Sequence, residues 1–409
     1  MSDTWKQTIL VAHPSPELYG SDRVVLESVA GLSARDFHVV LSLPKPGPLV
    51  PAIEQVGANV EIMSMPVLRK SLLRPRNFAG FIGDSVRGLF QGFLLLGRYK
   101  PAVVVVNTAT IPLWILAARL RRIPVLLHIH ESERQAHRIL RLALALPATL
   151  CRSVVVNSEY STNSLTQVAP WLKGKTTVIY NGVPGPGSPS PPRAILNDPV
   201  RVLFVGRLSE RKGAHIVIQA LKLLQERGMD IQVELLGAVF EGYEWFEQEL
   251  HKQVASLPDP SKVQFLGFAS HVWPHYEACD IALVPSTMDE PFGNTAVEAL
   301  LARRPVLVSD IGGLPEAVRG LDGALLVVPN DAQALANGIT EIIEHWEEYR
   351  HKADLGHNEA AMRFDPTRYR KAFADQVQLV RSRKKGFRGI LKSAAREQTS
   401  RTSPPDTVD

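Results

Sequence analysis

The feature that most constrains the fold is a regular alternation of short β-rich runs with longer helical patterns along almost the whole chain. Such alternation is typical of parallel α/β sheets, in which a helix carries the chain back after each strand. Several runs are apolar at every position, Val103–Val106 being the clearest. A continuous apolar run is expected where helices cover both faces of a sheet. We therefore predict an α/β fold built from doubly wound parallel sheets.

The predicted strands form two series separated by a stretch rich in proline and glycine. Their bounds are Thr8–Ala12, His38–Leu43, Asn59–Met63, Ala102–Asn107, Pro124–His128, Ser153–Asn157 and Thr176–Tyr180, then Val200–Val205, Ile231–Leu236, Val263–Leu266, Ile281–Pro285, Pro305–Ser309 and Ala324–Val328. A core element does not tolerate the density of Pro and Gly found between the two series. We expect an N-terminal domain over residues 1–184, a linker over 185–198 and a second domain over 199–363, with a ligand cleft between the two sheets.

The C-terminal residues follow two further patterns. Over 364–382, apolar residues spaced by three and four predict an amphipathic helix, and the remaining residues, 383–409, form a basic tail that we expect to be disordered. With 45% hydrophobic and 21% charged residues, the composition excludes wholesale disorder. Two cysteines exclude a disulfide framework or a multi-cysteine metal site. We find neither a signal peptide nor an apolar run of spanning length, so we expect a cytoplasmic protein.

The net charge of +5 is unevenly distributed. Residues 1–184 carry 20 Lys and Arg against 11 Asp and Glu, whereas the remainder carries 26 against 30. An anionic partner is therefore expected for the first domain. Between Val67 and Tyr99, apolar residues alternate with the cations Arg69, Lys70, Arg74, Arg76, Arg87 and Arg98. This segment fits peripheral contact with an anionic membrane on its cytoplasmic face, or an ordinary helix pair with solvated arginines.

Two motifs in the second series carry most of the chemistry. Glu290 and Glu298 flank Gly293-Asn294-Thr295, where a helix is predicted to begin directly after a strand. Free amides at a helix start bind a diphosphate, and the two carboxylates can accept hydrogen bonds from sugar hydroxyls. In the second motif, Gly206-Arg207 ends a strand and Lys212 precedes the next helix. These two cations can neutralise a diphosphate without a metal; neighbouring Arg211 is expected to be solvated.

Three further residues are weaker candidates. Gly20 follows the first strand, where it allows close backbone approach to a ligand, and Ser21 is the predicted N-cap of a helix from about Asp22 to Ala30. His130 ends another strand at the same edge and can touch substrate. Phe268 ends a strand where a nucleotide base could rest. The structural alternatives are a plain glycine turn, a structural histidine and core packing of the aromatic ring.

Together these motifs resemble family 4 glycosyltransferases of the GT-B fold, over roughly Thr8 to Val380. The resemblance rests on the two glutamates with seven residues between them, the Gly-Arg-Leu-x-x-x-Lys-Gly motif at 206–213, the Asn-Gly-Val closure at 181–183 and the glycine loop at Gly20. It implies two Rossmann-like domains facing across a cleft, with the helix at 364–382 crossing back to the first. It also implies a retaining hexosyltransferase that uses a UDP- or GDP-sugar and needs no metal or other cofactor.

The resemblance also assigns roles to residues. It implies that Arg207 and Lys212 bind the donor diphosphate, that Glu298 binds the ribose and that Glu290 meets the transferred sugar. It places three residues at a helix start by the diphosphate and sugar, and a histidine near the reacting centre; these are Gly293, Asn294, Thr295 and His130. The acceptor it implies is a hydroxyl of a glycan or of a lipid-linked saccharide, in cell-envelope or exopolysaccharide biosynthesis.

Other function classes share parts of this pattern. A sugar-nucleotide epimerase could have the same architecture, and it is distinguished by whether free nucleoside diphosphate is released with and without acceptor. A non-catalytic sugar-nucleotide-binding subunit would bind donor without turnover. A nucleic-acid binder ranks lowest, because the sequence lacks a recognition module and an aromatic stacking platform. We therefore expect no nucleic-acid partner.

Overall fold

The computed structural model describes residues 7–68, 75–131, 134, 137–240 and 242–382, with the backbone alone at 75–79. Several predictions made from the sequence concern residues outside these ranges. The predicted disordered tail at 383–409 and the cations Arg69, Lys70 and Arg74 lie outside the described residues, as does the side chain of Arg76.

Among the described residues, seven parallel strands form the first sheet, in the order β3-β2-β1-β4-β5-β6-β7. The strands are β1 Thr8–Ala12, β2 His38–Leu43, β3 Asn59–Ile62, β4 Val103–Val106, β5 Val125–Ile129, β6 Ser153–Val156 and β7 Thr176–Val178. The helices are α1 Gly20–Ser33, α2 Leu49–Gln55, α3 Pro75–Tyr99, α4 Leu113–Leu120, α5 Arg138–Ala145 and α6 Glu159–Val168. We call these elements the first lobe.

The second lobe contains a sheet of six parallel strands in the order β10-β9-β8-β11-β12-β13. The strands are β8 Val200–Val205, β9 Ile231–Leu236, β10 Val263–Gly267, β11 Ile281–Val284, β12 Val306–Ser309 and β13 Ala324–Val327. The helices are α7 Ala214–Glu226, α8 Glu244–Ala255, α9 Trp273–Ala278, α10 Asn294–Leu301, α11 Leu314–Val318, α12 Ala332–Glu344 and α13 Trp346–Arg363. A last helix, α14, spans residues 366–382.

Both sheets are covered on two faces, which explains the apolar runs in the sequence. In β4, Val103 and Val105 join one buried cluster, and Val104 and Val106 join the cluster on the opposite face. This alternation follows from the two-residue period of a strand. Every strand predicted from the sequence is present, with ends that differ by two residues at most. The expectation of two doubly wound parallel sheets is confirmed.

The two sheets share one topological plan. In the first, β1 pairs with both β2 and β4, and in the second β8 pairs with both β9 and β11. In each sheet the strand order reverses at that point, and open α/β sheets bind ligands outside the carboxyl ends of the strands there. The loops that follow β1, β4, β8 and β11 are therefore where a ligand site is expected.

The chain returns to the first lobe at its C-terminal end. Residues of α14 join the buried cluster of the first sheet; they are Tyr369, Phe373, Ala374, Val377 and Val380. A 2.6 Å hydrogen bond joins the hydroxyls of Tyr369 and Ser28, the latter on α1. None of the helices in the described part of the chain is long and apolar enough to cross a membrane.

Candidate active site

Glu290 is held in the loop after β11 by cations from the loop after β8. Its carboxylate lies 2.9 Å from Lys212 Nζ and 3.5 Å from the Arg211 guanidinium, and Ser286 Oγ donates to it at 3.2 Å. Burial alone would raise the pKa of Glu290, but the two cations and the hydrogen bonds outweigh it and lower that pKa. Glu290 is therefore an ionised, buried carboxylate.

The Arg211 side chain is 44% exposed, in line with the sequence expectation of a solvated arginine, and its guanidinium also reaches the buried carboxylate of Glu290, a contact that the sequence did not predict. The turn that carries both cations is pressed against the end of β11 at Gly213, which has a φ of +78°. A Cβ atom there would lie 1.9 Å from the carbonyl oxygen of Pro285, so only glycine fits.

The helix α10 starts directly beside this ion pair. Gly293 precedes it with a φ of +135°, and a Cβ atom at this position would lie 2.6 Å from the Leu314 side chain. Asn294, the first residue of α10, accepts a 2.8 Å hydrogen bond from Asn181 Nδ2 in the first lobe. The start of α10 is thus fixed across the cleft, and its first amides and helix dipole favour an anion.

Glu298 lies one turn into α10 in a different environment from Glu290. Tyr276 donates a 3.4 Å hydrogen bond to its carboxylate, and the Arg23 guanidinium lies 3.9 Å away. Burial raises the pKa of Glu298, and the favourable contacts with Arg23, Tyr276 and Lys212 only partly offset it. The pKa of Glu298 is therefore raised whereas that of Glu290 is lowered, so Glu298 is protonated more readily.

Arg207 projects between aromatic rings of the two lobes. Its guanidinium carbon lies 3.3 Å from the ring centre of Phe240 and 4.9 Å from that of Tyr19, which in turn packs edge-on against Phe268 at 5.3 Å. Burial lowers the pKa of Arg207 to about 10, although the charges of Asp22 and Glu290 act in the opposite direction. The Nε atom of Arg207 is buried without a hydrogen-bond partner among the described residues.

A cavity of about 100 Å³ lies in the cleft between the lobes. Seven residues predicted as site residues line it; they are Gly20, Gly206, Arg207, Phe268, Asn294, Thr295 and Glu298. Glu290, Lys212 and Gly293 do not line it. Lys212 Cδ lies 3.9 Å from where a Cβ atom of the lining residue Gly206 would be, Glu290 is paired with Lys212, and Gly293 precedes the helix that forms one wall. With Tyr19 packed into the cleft, this cavity is smaller than the roughly 300–1,000 Å³ of typical small-molecule pockets.

His130 does not line this cavity. It lies at the end of β5, with 9% of its surface exposed, and its ring stacks at 3.9 Å on that of the fully buried His128. Burial, together with the proximity of His13, lowers the pKa of His130 to about 3. His130 is therefore a neutral ring near neutral pH, and its contact with Asn107 is a hydrogen bond.

Several residues of this region were missed by the sequence analysis. Tyr19 and Arg23, on either side of Gly20, reach the second lobe, where Arg23 also donates a 2.9 Å hydrogen bond to Ser270 O. His13 and Asn107 contact one another behind His130. The sequence signal that could have identified His13 and Asn107 is their position, because each directly follows an apolar strand.

The predicted start of the first helix was also wrong. Helix α1 begins at Gly20 with Tyr19 as its N-cap, rather than near Asp22 with Ser21 as the cap. The reason is that the Asp22 carboxylate accepts a 2.9 Å hydrogen bond from the Tyr19 backbone amide, which draws the helix start two residues earlier. Among the described residues, no group of three or more His, Cys, Asp or Glu side chains is arranged to hold a metal ion.

Comparison with known proteins decides the family. Residues 19–184 match the family model "Glycosyltransferase Family 4", and residues 191–358 match "Glycosyl transferases group 1". The chain belongs to the family 4, group 1 glycosyltransferases. The two models match consecutive parts of the chain, one in each lobe.

Curated relatives resemble the chain over part of their length. The spore coat protein SA of Bacillus subtilis is 28% identical over 52% of this chain and 60% of its own length. The glycogen synthase of Mycobacterium tuberculosis is 27% identical over 56% of this chain and 57% of its own. An uncharacterized glycosyltransferase of Methanocaldococcus jannaschii is 31% identical over 37% of this chain and 38% of its own. The chain thus spans at most 60% of the length of these relatives.

Solved structures match almost the whole chain. Anabaena HepE in complex with UDP and glucose is 24% identical, with a TM-score of 0.77 over 91% of this chain and 99% of that protein. A sucrose-phosphate synthase from Thermosynechococcus elongatus is 20% identical, with a TM-score of 0.70 over 95% of this chain and all of that protein. These likenesses confirm the GT-B fold of this glycosyltransferase.

Proposed function

We propose that this glycosyltransferase moves a hexose from a UDP- or GDP-sugar to a hydroxyl of a glycan or lipid-linked acceptor, with retention of anomeric configuration and without a metal. The observation that carries the proposal is the grouping of two cations, two carboxylates and one helix start at the strand-order reversal of the second sheet. Cell-envelope or exopolysaccharide biosynthesis is the process in which such an acceptor is used.

The leaving diphosphate is bound by positive charge that is already in place. The guanidinium of Arg207 is desolvated and forms no salt bridge among the described residues, so an anion would supply the partner it lacks. Lys212 stands beside it, held by Glu290. The first amides of α10, from Asn294 onward, add the positive end of a helix dipole. This arrangement stabilises a diphosphate dianion in a partly dry cleft.

The carboxylates bind the neutral parts of the donor. Glu298 lies in the wall that also contains Gly206 and Phe268, where a ribose and its base would enter. Glu290 lies beyond Lys212, next to the start of α10, where its ionised oxygens can accept hydrogen bonds from the hexose hydroxyls.

The reaction breaks the bond between the anomeric carbon and the diphosphate oxygen, and its electron pair stays on that oxygen. The acceptor oxygen forms the new bond from the face that the diphosphate leaves, and the acceptor proton passes to a phosphate oxygen. Arg207 and Lys212 stabilise the negative charge as it develops. Attack on the departing face retains the configuration of the sugar.

Of the two candidate donors we propose a UDP-sugar. Solved structures of Anabaena HepE, which has the same fold, contain UDP and UDP-glucose. The test is a panel of UDP- and GDP-sugars in a thermal-shift assay, because a ligand that binds the folded state raises the melting temperature. We expect a UDP-sugar to give the largest rise, and no rise with any member of the panel would contradict the proposal.

Turnover of the selected donor then separates the function classes. A transferase releases nucleoside diphosphate in proportion to acceptor and forms a product whose anomeric coupling in NMR matches that of the donor. An epimerase changes the sugar without release, and a binding subunit does neither. The addition of a metal chelator should leave the rate unchanged, and loss of activity would contradict metal independence.

We also propose that α3 holds the enzyme on the cytoplasmic face of an anionic membrane. Four large apolar residues on α3 are exposed at intervals of four residues; they are Ile82, Val86, Phe90 and Leu94. Arg87 and Arg98 lie on the same helix. A stripe of exposed apolar side chains beside cations is typical of an interfacial helix.

Flotation with vesicles tests this surface. Phe90→Glu should reduce binding to vesicles that contain an anionic lipid, because it places a like charge in the stripe. The matched control is Met362→Glu on α13 in the second lobe, which changes an equally exposed apolar residue. Equal binding by the two variants, or binding independent of anionic lipid, would contradict the proposal.

A further inference from the structure

A continuous chain of hydrogen bonds runs behind the carboxyl edge of the first sheet. Asp22 Oδ1 accepts from His13 Nε2 at 2.8 Å, His13 Nδ1 lies 2.9 Å from Asn107 Nδ2, and Asn107 Oδ1 lies 2.9 Å from His130 Nε2. We call this set the relay; it consists of Asp22, His13, Asn107 and His130. Its members come from α1 and from the ends of β1, β4 and β5, and each is buried.

The relay has a direction, and Asp22 sets it. A carboxylate can only accept, so His13 donates through Nε2–H, and its Nδ1 atom, which faces the donor nitrogen Nδ2 of Asn107, is the acceptor of the ring. The Asn107 amide therefore turns its NH₂ group toward His13 and its oxygen toward His130. That oxygen needs a donor, which His130 supplies through Nε2–H. Once this proton is on Nε2, the lone pair of a neutral His130 is on Nδ1.

We propose that the relay holds His130 as the Nε2–H tautomer, so that its Nδ1 atom accepts a hydrogen bond from a substrate hydroxyl. Asn107, His13 and Asp22 are then positioning residues. The proposal rests on the proposed function only for the identity of that substrate. The tautomer itself follows from the hydrogen bonds of the relay.

Two observations support a fixed, neutral ring. His130 packs on His128, which is fully buried with both ring nitrogens unpartnered among the described residues, so a positive charge on either ring would be poorly solvated. The burial that lowers the pKa of His130 acts in the same direction. The polar partner of His130 is thus a hydrogen-bond donor such as a hydroxyl, rather than a carboxylate.

The relay also links His130 to the donor cavity. Asp22 Oδ2 accepts from the Tyr19 amide at 2.9 Å, and Tyr19 and Gly20 line that cavity. One carboxylate therefore holds both the loop at the donor site and the chain that ends at His130. His130 and the donor loop are set in place by the same side chain.

The first test is the tautomer in the unmodified full-length chain. With ¹⁵N-labelled histidine rings, a long-range ¹H–¹⁵N spectrum shows which nitrogen of each ring carries the proton, and His130→Gln identifies the His130 signals by their absence. We expect protonation on Nε2. Protonation on Nδ1, or an averaged mixture, overturns the proposal.

The second test removes the link and measures chemistry. Asn107→Leu should shift His130 toward the Nδ1–H form, because Nε2–H would face a side chain that cannot accept. It should lower kcat by about 10-fold to 100-fold, as when the partner that orients a functional histidine is lost, with the KM for donor unchanged. The control is Asn157→Leu, an equally buried asparagine at the end of β6, which should leave the His130 tautomer unchanged.

The outcomes separate the two proposals. If Asn107→Leu leaves the His130 tautomer and kcat as they were, or changes them no more than Asn157→Leu does, the relay is not a positioning device. If no sugar nucleotide binds the unmodified chain, the proposed function fails, whereas the tautomer assignment is decided by the spectrum alone.

Discussion

The carboxyl edge of the first sheet and that of the second are reached by the same reversal of strand order, yet they carry opposite kinds of side chain. After β1, β4 and β5 the first lobe places His13, Asn107 and His130, which are polar groups joined by hydrogen bonds. After β8 and β11 the second lobe places Arg207, Lys212 and Glu290 among other charges.

The difference shows how one topology serves two chemistries. Charges that are partly desolvated are stable only with partners, so the second edge suits an anionic ligand that completes the set. A chain of hydrogen bonds instead fixes the direction of donors and acceptors. The second edge is therefore suited to a diphosphate, and the first to hydroxyl groups. Substitutions at the second edge, and at the contact between the lobes, test this comparison through turnover, donor binding and stability.

The largest effect is expected from removing charge at the second edge. Arg207→Ala should lower kcat by about 100-fold to 1,000-fold, as for the loss of one group that stabilises developing charge in a transition state. Lys212→Ala should act similarly. The measurement is steady-state turnover of the sugar nucleotide.

The control for this prediction is Arg201→Ala, which removes an exposed arginine from β8, the strand that Arg207 follows, and should keep normal turnover. Near-normal kcat in Arg207→Ala would show that the charges of the second edge do not act on the leaving group.

A smaller effect should distinguish the two glutamates. Because burial raises the pKa of Glu298 while cations lower that of Glu290, Glu298 is the first to lose its charge as the pH falls. The KM for donor should therefore rise on the acid side before kcat falls. Glu298→Gln should raise this KM by about tenfold at neutral pH, the cost of one weakened hydrogen bond to a charged group, and abolish its pH dependence.

The linked stability has the opposite sign to that of an ordinary salt bridge. A carboxyl whose pKa is raised by folding stabilises the protein as the pH falls through that pKa, so Glu298→Gln should not lower the melting temperature at neutral pH. Glu359→Gln, an exposed carboxylate on α13, is the control for the KM profile. If the KM for donor still rises at low pH in Glu298→Gln, that rise comes from the titration of another group.

The smallest effect concerns the contact that joins the lobes. Glu316, on α11, accepts hydrogen bonds from the amides of Glu159 and Tyr160 at the start of α6, at 2.7 and 2.9 Å. Glu316→Ala should cost about 1–2 kcal/mol, as for the loss of a helix cap, and lower the melting temperature by roughly 2–4 °C. Glu159→Ala changes an exposed side chain at the same helix end and should cost less; an equal loss would contradict the capping role.

The sequence predicts the sheets well because the information is local. A run such as Val103–Val106 is apolar at every position, and only a strand covered on both faces needs that pattern. The positions of Glu290, Glu298, Arg207 and Lys212 at one sheet edge were likewise predictable, because each follows a strand within its own short motif. Their roles in binding and turnover stay predictions.

The relay was not predictable in the same way. His13 and Asn107 are 94 residues apart, and Asn107 and His130 are 23 apart. Only the pairing of β1 with β4 and of β4 with β5 brings their side chains together. The contact between Arg211 and Glu290 was missed for the same reason, because Glu290 lies in the loop after a different strand. Position after a strand indicates the edge of the sheet but not the contact partner.

The return of α14 to the first lobe has a consequence for how the protein is made. Tyr369, Phe373 and Val377 complete a hydrophobic core whose other members, such as Ile9 and Val29, are synthesised first. During synthesis on the ribosome, the last face of that core is covered only after almost the entire polypeptide has been made. Domains usually fold one after another during synthesis, the N-terminal domain first. Here we expect the first lobe to complete its core last, because α14 belongs to it. A nascent chain stopped after α13 would expose apolar surface to chaperones.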